Sequence, residues 1–186
     1  MTATFFRASL SVSGRSPTLL QRVATMAALP VLAAWGGDLA GSVRSGQIAD
    51  TPLHPLLVTL HRLGHLLAQP FGDAVQAHAG TAAQALLPWL ACVWLLWRGR
   101  RVASAFAAWL GGVALLDLAA GLLHGTDAAW QFHARGEPQD WIARIAVDAS
   151  QSANVGAWAD TLHGAGAAAM TAAVIALAVE LVRSRR

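Results

Sequence analysis

Asp117 and His124 stand seven residues apart in one apolar run, and Asp160 and His163 stand three apart at the start of another. On a helix both spacings put a carboxylate and an imidazole on one face, about 10 Å apart along the axis in the first pair and adjacent in the second. Imidazole with carboxylate suits zinc, copper or iron, the carboxylates acting as ligands or as partners that orient the rings. His61 and His65 add the i, i+4 spacing of helical metal sites, but HRLGH lacks the glutamate of HExxH, so the metalloprotease motif is absent. The candidate metal ligands are therefore His61, His65, Asp117, His124, Asp160 and His163. His124 and His163, on facing helices, are also the pair that could hold a haem iron axially or a chlorin magnesium.

A plainer account competes with that chemistry. Asp117 is an ionisable group well inside an apolar run, and such groups are costly and mark functional sites by default. It could instead hydrogen-bond within a bundle while the histidines, His54, His78 and His133 among them, face water. Asp38 and Glu180 lie near the ends of their runs, where water or arginine can account for them. The glycines and alanines of HGAGAAAMTAA, with Gly111, Gly112 and Gly121, permit close helix approach and leave little room for a macrocycle. Three methionines are too few for a methionine-lined copper(I) route. The single Cys92 allows no intramolecular disulfide and no CxxC motif. No GxSxG, phosphate loop, dinucleotide fingerprint or hydrolase triad is present, so no reaction class is assigned.

The elements that must carry these residues follow from composition. Of 186 residues, 55% are hydrophobic and 12% charged, with mean hydropathy +0.47; a soluble domain has about a quarter charged. The deficit points to one lipid-embedded domain spanning 1–186. A hydrocarbon core about 30 Å thick needs roughly 20 apolar helical residues, and four runs qualify: about 23–42, 81–97, 102–124 and 161–182. Pro30 and Pro88 fall inside two of them, where neighbouring helices can re-satisfy the freed carbonyls. The first run is longer than the apolar core of a secretory signal and is read as a retained span. Several of the eight tryptophans lie near span boundaries, where belt anchoring explains them.

All 13 basic residues are arginines. Arg7, Arg15 and Arg22 precede the first run, Arg98, Arg100 and Arg101 fill the turn between the second and third, and Arg183, Arg185 and Arg186 follow the fourth. An even number of spans puts these clusters on one side, which the positive-inside rule makes cytoplasmic. The expected fold is thus an all-α integral membrane protein of the inner membrane, a four-transmembrane-helix bundle with N- and C-termini inside. It has a cytoplasmic tail 1–22 and outer loops at about 43–80 and 125–160. Neither a continuous basic face nor interleaved stacking aromatics suggests nucleic acid.

The outer loops carry two amphipathic stretches. Leu53–Pro70 (LHPLLVTLHRLGHLLAQP) lines Leu56, Leu60, Leu63 and Leu67 on one side and His61, Arg62, His65 and Gln69 toward another. Spanning would put Arg62 near the bilayer centre at about 2.5–3.5 kcal/mol, so the stretch is expected to lie on the outer surface, leucines down and imidazoles toward water or the bundle mouth. Pro138–Ala149 is the second such helix. Leu60–Leu67 (LHRLGHLL) resembles the histidine-bearing helices of small four-helix cytochromes b, which implies haem. Those families hold haem from histidines inside the spans, whereas the first two spans here have none, and membership is not assigned.

Three functions are compatible with these residues. The first is an accessory or assembly subunit of a larger membrane complex, with lipid and other membrane subunits as partners and a His/Asp cluster at its outer face. The second is a membrane metalloprotein or tetrapyrrole-binding protein, redox or hydrolytic, using His124, His163 and Asp117. The third is a proton or ion path through Asp117.

Overall fold

A computed structural model of the chain describes residues 19–124 and 152–183. Among them it is all-helical, with α1 at Leu19–Ser42, α2 at Leu53–Ala68, α3 at Asp73–Trp97, α4 at Arg101–His124 and α5 at Ser152–Arg183. Four of these hold stretches long and apolar enough to cross a membrane: Arg22–Ser42, Asp73–Trp97, Arg101–His124 and Asn154–Arg183. The expected second amphipathic helix, Pro138–Ala149, lies outside the described residues, as do His133 and most of the N-terminal tail.

Local chemistry sets the helix ends. After α3, the Arg100 N–H reaches the Leu95 carbonyl at 2.8 Å and Gly99 adopts φ 71°. That is a left-handed cap of the kind glycine favours, and it lets α4 begin two residues later, antiparallel to α3. Gly72, at φ 85°, makes the corresponding bend into α3. Asp73 in the first turn of α3 suits the positive end of the helix dipole.

The central element is α4: 67% of its most apolar window is buried, against 22% in each of the other three spanning candidates. Small residues make that possible. A methyl group on Gly112 would meet Met170 Cγ at 2.6 Å and the Gly166 carbonyl at 2.7 Å, so α4 and α5 touch almost backbone to backbone. Trp89 of α3 lies over Gly111, and Gly36 of α1 lies beside Trp109 and Met170. Leu39, Val43, Ile48, Leu57, Val113, Leu116 and Leu177 fill the space between.

Two boundaries differ from expectation. Residues 73–80, expected in a loop, are the first two turns of α3, and α5 begins at Ser152 rather than 161. At 32 residues α5 is about 48 Å long, more than a hydrocarbon core needs.

The larger difference is α2, which does not lie across the end of the bundle. It runs antiparallel along α3, with His54 level with Gln84, Gly64 against Ala79 and Ala83, and His65 bonded to Gln76. It keeps a leucine side and a histidine side. Leu56, Leu63, Leu66 and Leu67 are exposed, and the face turned to α3 and α4 carries His54, Leu57, Gly64 and Ala68. Gly64 is what permits this docking, because a Cβ there would overlap the Ala79 backbone.

Candidate functional site

The deepest polar group sits where α2, α3 and α4 meet. Asp117 lies on α4 seven residues before its His124 end, about 10 Å along the axis, and about 24 Å from the Arg101 end. Its carboxylate faces two donors from two other helices. His54 Nδ1 is 2.6 Å from Oδ1, and Gln84 Nε2 donates to Oδ2 at 2.7 Å. All three side chains are buried, His54 at 2% and Asp117 at 4% exposure.

Proton positions follow from what each atom can do. The 2.6 Å Nδ1···Oδ1 contact requires a proton between the two atoms, while Oδ2 accepts from the Gln84 amide. With that proton alone the pair bears one net negative charge. A second proton, on His54 Nε2, would make it a neutral imidazolium–carboxylate pair, the form a low-dielectric site tolerates best. Toward the His124 end the surroundings stay polar, with Thr81 buried one turn from Gln84. Toward the Arg101 end they are apolar, with Val113 and Ala114 fully buried and Trp109 beneath.

A second cluster lies further along the same face of α2. His61 and His65 approach through their Nε2 atoms at 3.0 Å, ring centroids 4.7 Å apart and planes at 72°. His65 Nδ1 is 2.7 Å from the Gln76 carbonyl, which can only accept, so that nitrogen carries a proton. The neutral His65 ring then presents a lone pair at Nε2, and His61 Nε2–H is the donor to it. Gly80 lies directly beneath, where a Cβ would overlap both Nε2 atoms.

His124 and His163 do not meet Asp117 or Asp160. His163 Nε2–H donates to the Ala40 carbonyl at 3.0 Å and His124 Nε2–H to that of Val43 at 3.2 Å. Both thus reach the last turn of α1 and the residue after it, where carbonyls lack intrahelical partners. Asp160 turns to Arg44, 2.8 Å away, in an exposed pair. The six residues put forward as metal ligands, His61, His65, Asp117, His124, Asp160 and His163, are thus distributed over separate places. Among the described residues no three His, Cys, Asp or Glu side chains come together in a group able to hold a metal.

The functional residues that sequence reasoning misses are His54 and Gln84. His54 follows Pro52 in a loop-like stretch and reads as solvated, and Gln84 reads as a neutral residue in a span. The available signal is periodicity: His54, His61 and His65 repeat at i, i+7, i+11 on one face of α2. A carboxylate inside an apolar run also requires donors from neighbouring helices. Comparison of the chain with protein-family models, with curated proteins and with solved structures gives no match, so what this protein does rests on its own geometry.

Proposed function

We propose that the protein is a multi-pass inner-membrane protein whose working centre is the Asp117–His54 pair, a proton-exchanging site reached from the outer face. The observation that carries this reading is a buried carboxylate in a helix long and apolar enough to span, held by side chains from two other helices; in this reading the pair takes up and releases one proton. Both termini lie on the cytoplasmic side in this proposal, because the arginine clusters beside the spans favour that orientation. The His124 end is then outer, and Asp117 lies about 10 Å from it. The exposed leucines of α2 support embedding of that helix beside α3, since an outward leucine face is stable in lipid and costly in water.

The test is proton flux in liposomes reconstituted with the full-length protein under an imposed pH gradient. Asp117→Asn and His54→Gln should return the flux to that of protein-free liposomes, while Asp160→Asn, at the exposed ion pair, should leave it unchanged. Flux in Asp117→Asn equal to the wild type would remove Asp117 from the path.

A second reading, that the chain serves as an accessory or assembly subunit, is favoured by the outward face of α1. Ala27, Pro30, Ala34, Gly37 and Gly41 are exposed at heptad-like spacing, and among the described residues nothing lies within 4 Å of a methyl group added at Gly37 or Gly41. Such a strip suits a spanning helix of a partner subunit. Enlarging Gly37 and Gly41 to isoleucine should release a co-purifying membrane protein. A wild type that isolates alone, or a partner retained by the variant, would count against this reading.

A further inference from the structure

We propose that His61 and His65 form a two-imidazole binding site for a divalent first-row transition ion, with zinc as the representative case. Their geometry already has the features of such a site. The Nε2 atoms are 3.0 Å apart, and two nitrogens on one tetrahedral zinc ion, at 2.0–2.1 Å each, stand about 3.3–3.4 Å apart. A widening of a few tenths of an ångström, with each ring tilted so that its Nε2 lone pair leaves the N···N line by about 35°, converts the hydrogen-bonded pair into a chelating one. The Nδ1–H of His65 on the Gln76 carbonyl is the arrangement that fixes tautomer and ring orientation in metal-bound histidine. It leaves Nε2 as the only lone pair His65 can offer.

Gly80 contributes by what it lacks. Both imidazoles rest on its backbone, and any Cβ there would occupy the space that their Nε2 atoms fill. Both histidines are half-buried, and water or an anion would complete the coordination. Proton count closes without a co-reactant: His61 moves its ring proton from Nε2 to Nδ1, both Nε2 lone pairs bind the ion, and no proton need be released from the neutral pair.

This inference is independent of the proton-exchange proposal, because its readout is metal binding. The full-length protein is purified without a histidine tag, stripped with chelator and exposed to Zn2+ alone, and bound metal is counted after gel filtration. The wild type should retain one zinc ion per chain. His65→Ala should weaken binding by about tenfold or more, which is the loss of at least 1.4 kcal/mol of binding free energy. His61→Gln, which leaves the His65–Gln76 anchor and hence the docking of α2 in place, should do the same. His124→Ala and His163→Ala should bind as the wild type does. Absence of retained zinc in the wild type, or zinc retained at full stoichiometry in His61→Gln, overturns the proposal. Zinc binding with no proton flux, or flux with no zinc binding, separates its fate from that of the Asp117 reading.

Discussion

Removing the Asp117 carboxylate should cost more stability than any other single change to a polar residue in the described bundle. In Asp117→Ala the His54 Nδ1–H and Gln84 Nε2–H both lose their acceptor in a buried site. Each buried donor left so costs about 1–3 kcal/mol, giving roughly 2–6 kcal/mol in sum. Breaking a buried charged pair from one side costs about 3–5 kcal/mol on independent grounds. Asp117→Asn should be far milder. If the Gln84 amide rotates, the carboxamide oxygen introduced at position 117 accepts from His54 and its nitrogen donates to Gln84 Oε1. Both contacts then survive as neutral bonds of about half the strength, a loss of about 1–2 kcal/mol. The double variant His54→Leu, Asp117→Leu removes donor and acceptor together and leaves only Gln84 unmatched, about 1–3 kcal/mol. Unfolding by sodium dodecyl sulfate in mixed micelles, followed by tryptophan fluorescence, measures all of these. The losses of His54→Leu and Asp117→Leu made singly should together exceed that of the double by several kcal/mol, against the 0.3–0.5 kcal/mol typical of independent sites. Additive singles, or Asp117→Ala within about 1 kcal/mol of wild type, would refute the coupling drawn here.

Gly80→Ala should destabilise the α2–α3 hairpin by about 1–3 kcal/mol through overpacking, visible as faster proteolysis near α2, because the new methyl overlaps both histidine Nε2 atoms. Gly112→Ala, pressed against the Gly166 carbonyl, should cost a similar amount in the same unfolding assay. Gly37→Ala, with open space around the added methyl, should instead be neutral or stabilising by up to about 1 kcal/mol. His163→Ala removes one donor from the end of α1 and should cost about 0.5–1.5 kcal/mol, with earlier amide exchange in the last turn of that helix.

How much of this is legible in the chain depends on the range of the interaction. The four long apolar runs, and the Arg98–Gly99–Arg100 turn joining two of them, are written in local composition and appear as helices of the expected order. The early start of α5 is not visible, because Ser152–Asp160 mixes Asn, Gly and Asp with apolar residues and gives no sustained apolar run. For α2 the periodicity and the split into a leucine side and a histidine side are readable. Its course along α3 is not, because the groups that meet the histidine side, the Asp117 carboxylate for His54 and the Gln76 carbonyl for His65, lie on other helices. Among the described residues His61, His65, Asp117, His124, Asp160 and His163 form no group of three or more, for a related reason. Spacing along one helix says which residues share its face but not which helix that face meets, and His124 and His163 are drawn to α1 carbonyls that no pattern in α4 or α5 announces. Asp117 stands out from sequence alone, since a carboxylate in an apolar run must be answered by something.

The most direct test of the central claim is 15N nuclear magnetic resonance of histidine-labelled protein in bilayers, with the His54 signal identified by its loss in His54→Gln. An imidazole reports its protonation state through both ring nitrogens, and the outer pH is stepped through a window of about pH 5–8. The account predicts that His54 keeps a proton at Nδ1 throughout and gains or loses the one at Nε2 as the outer pH is varied, and that this change vanishes in Asp117→Asn. A His54 ring locked in one protonation state across that window, or one that titrates identically without the Asp117 carboxylate, would contradict it.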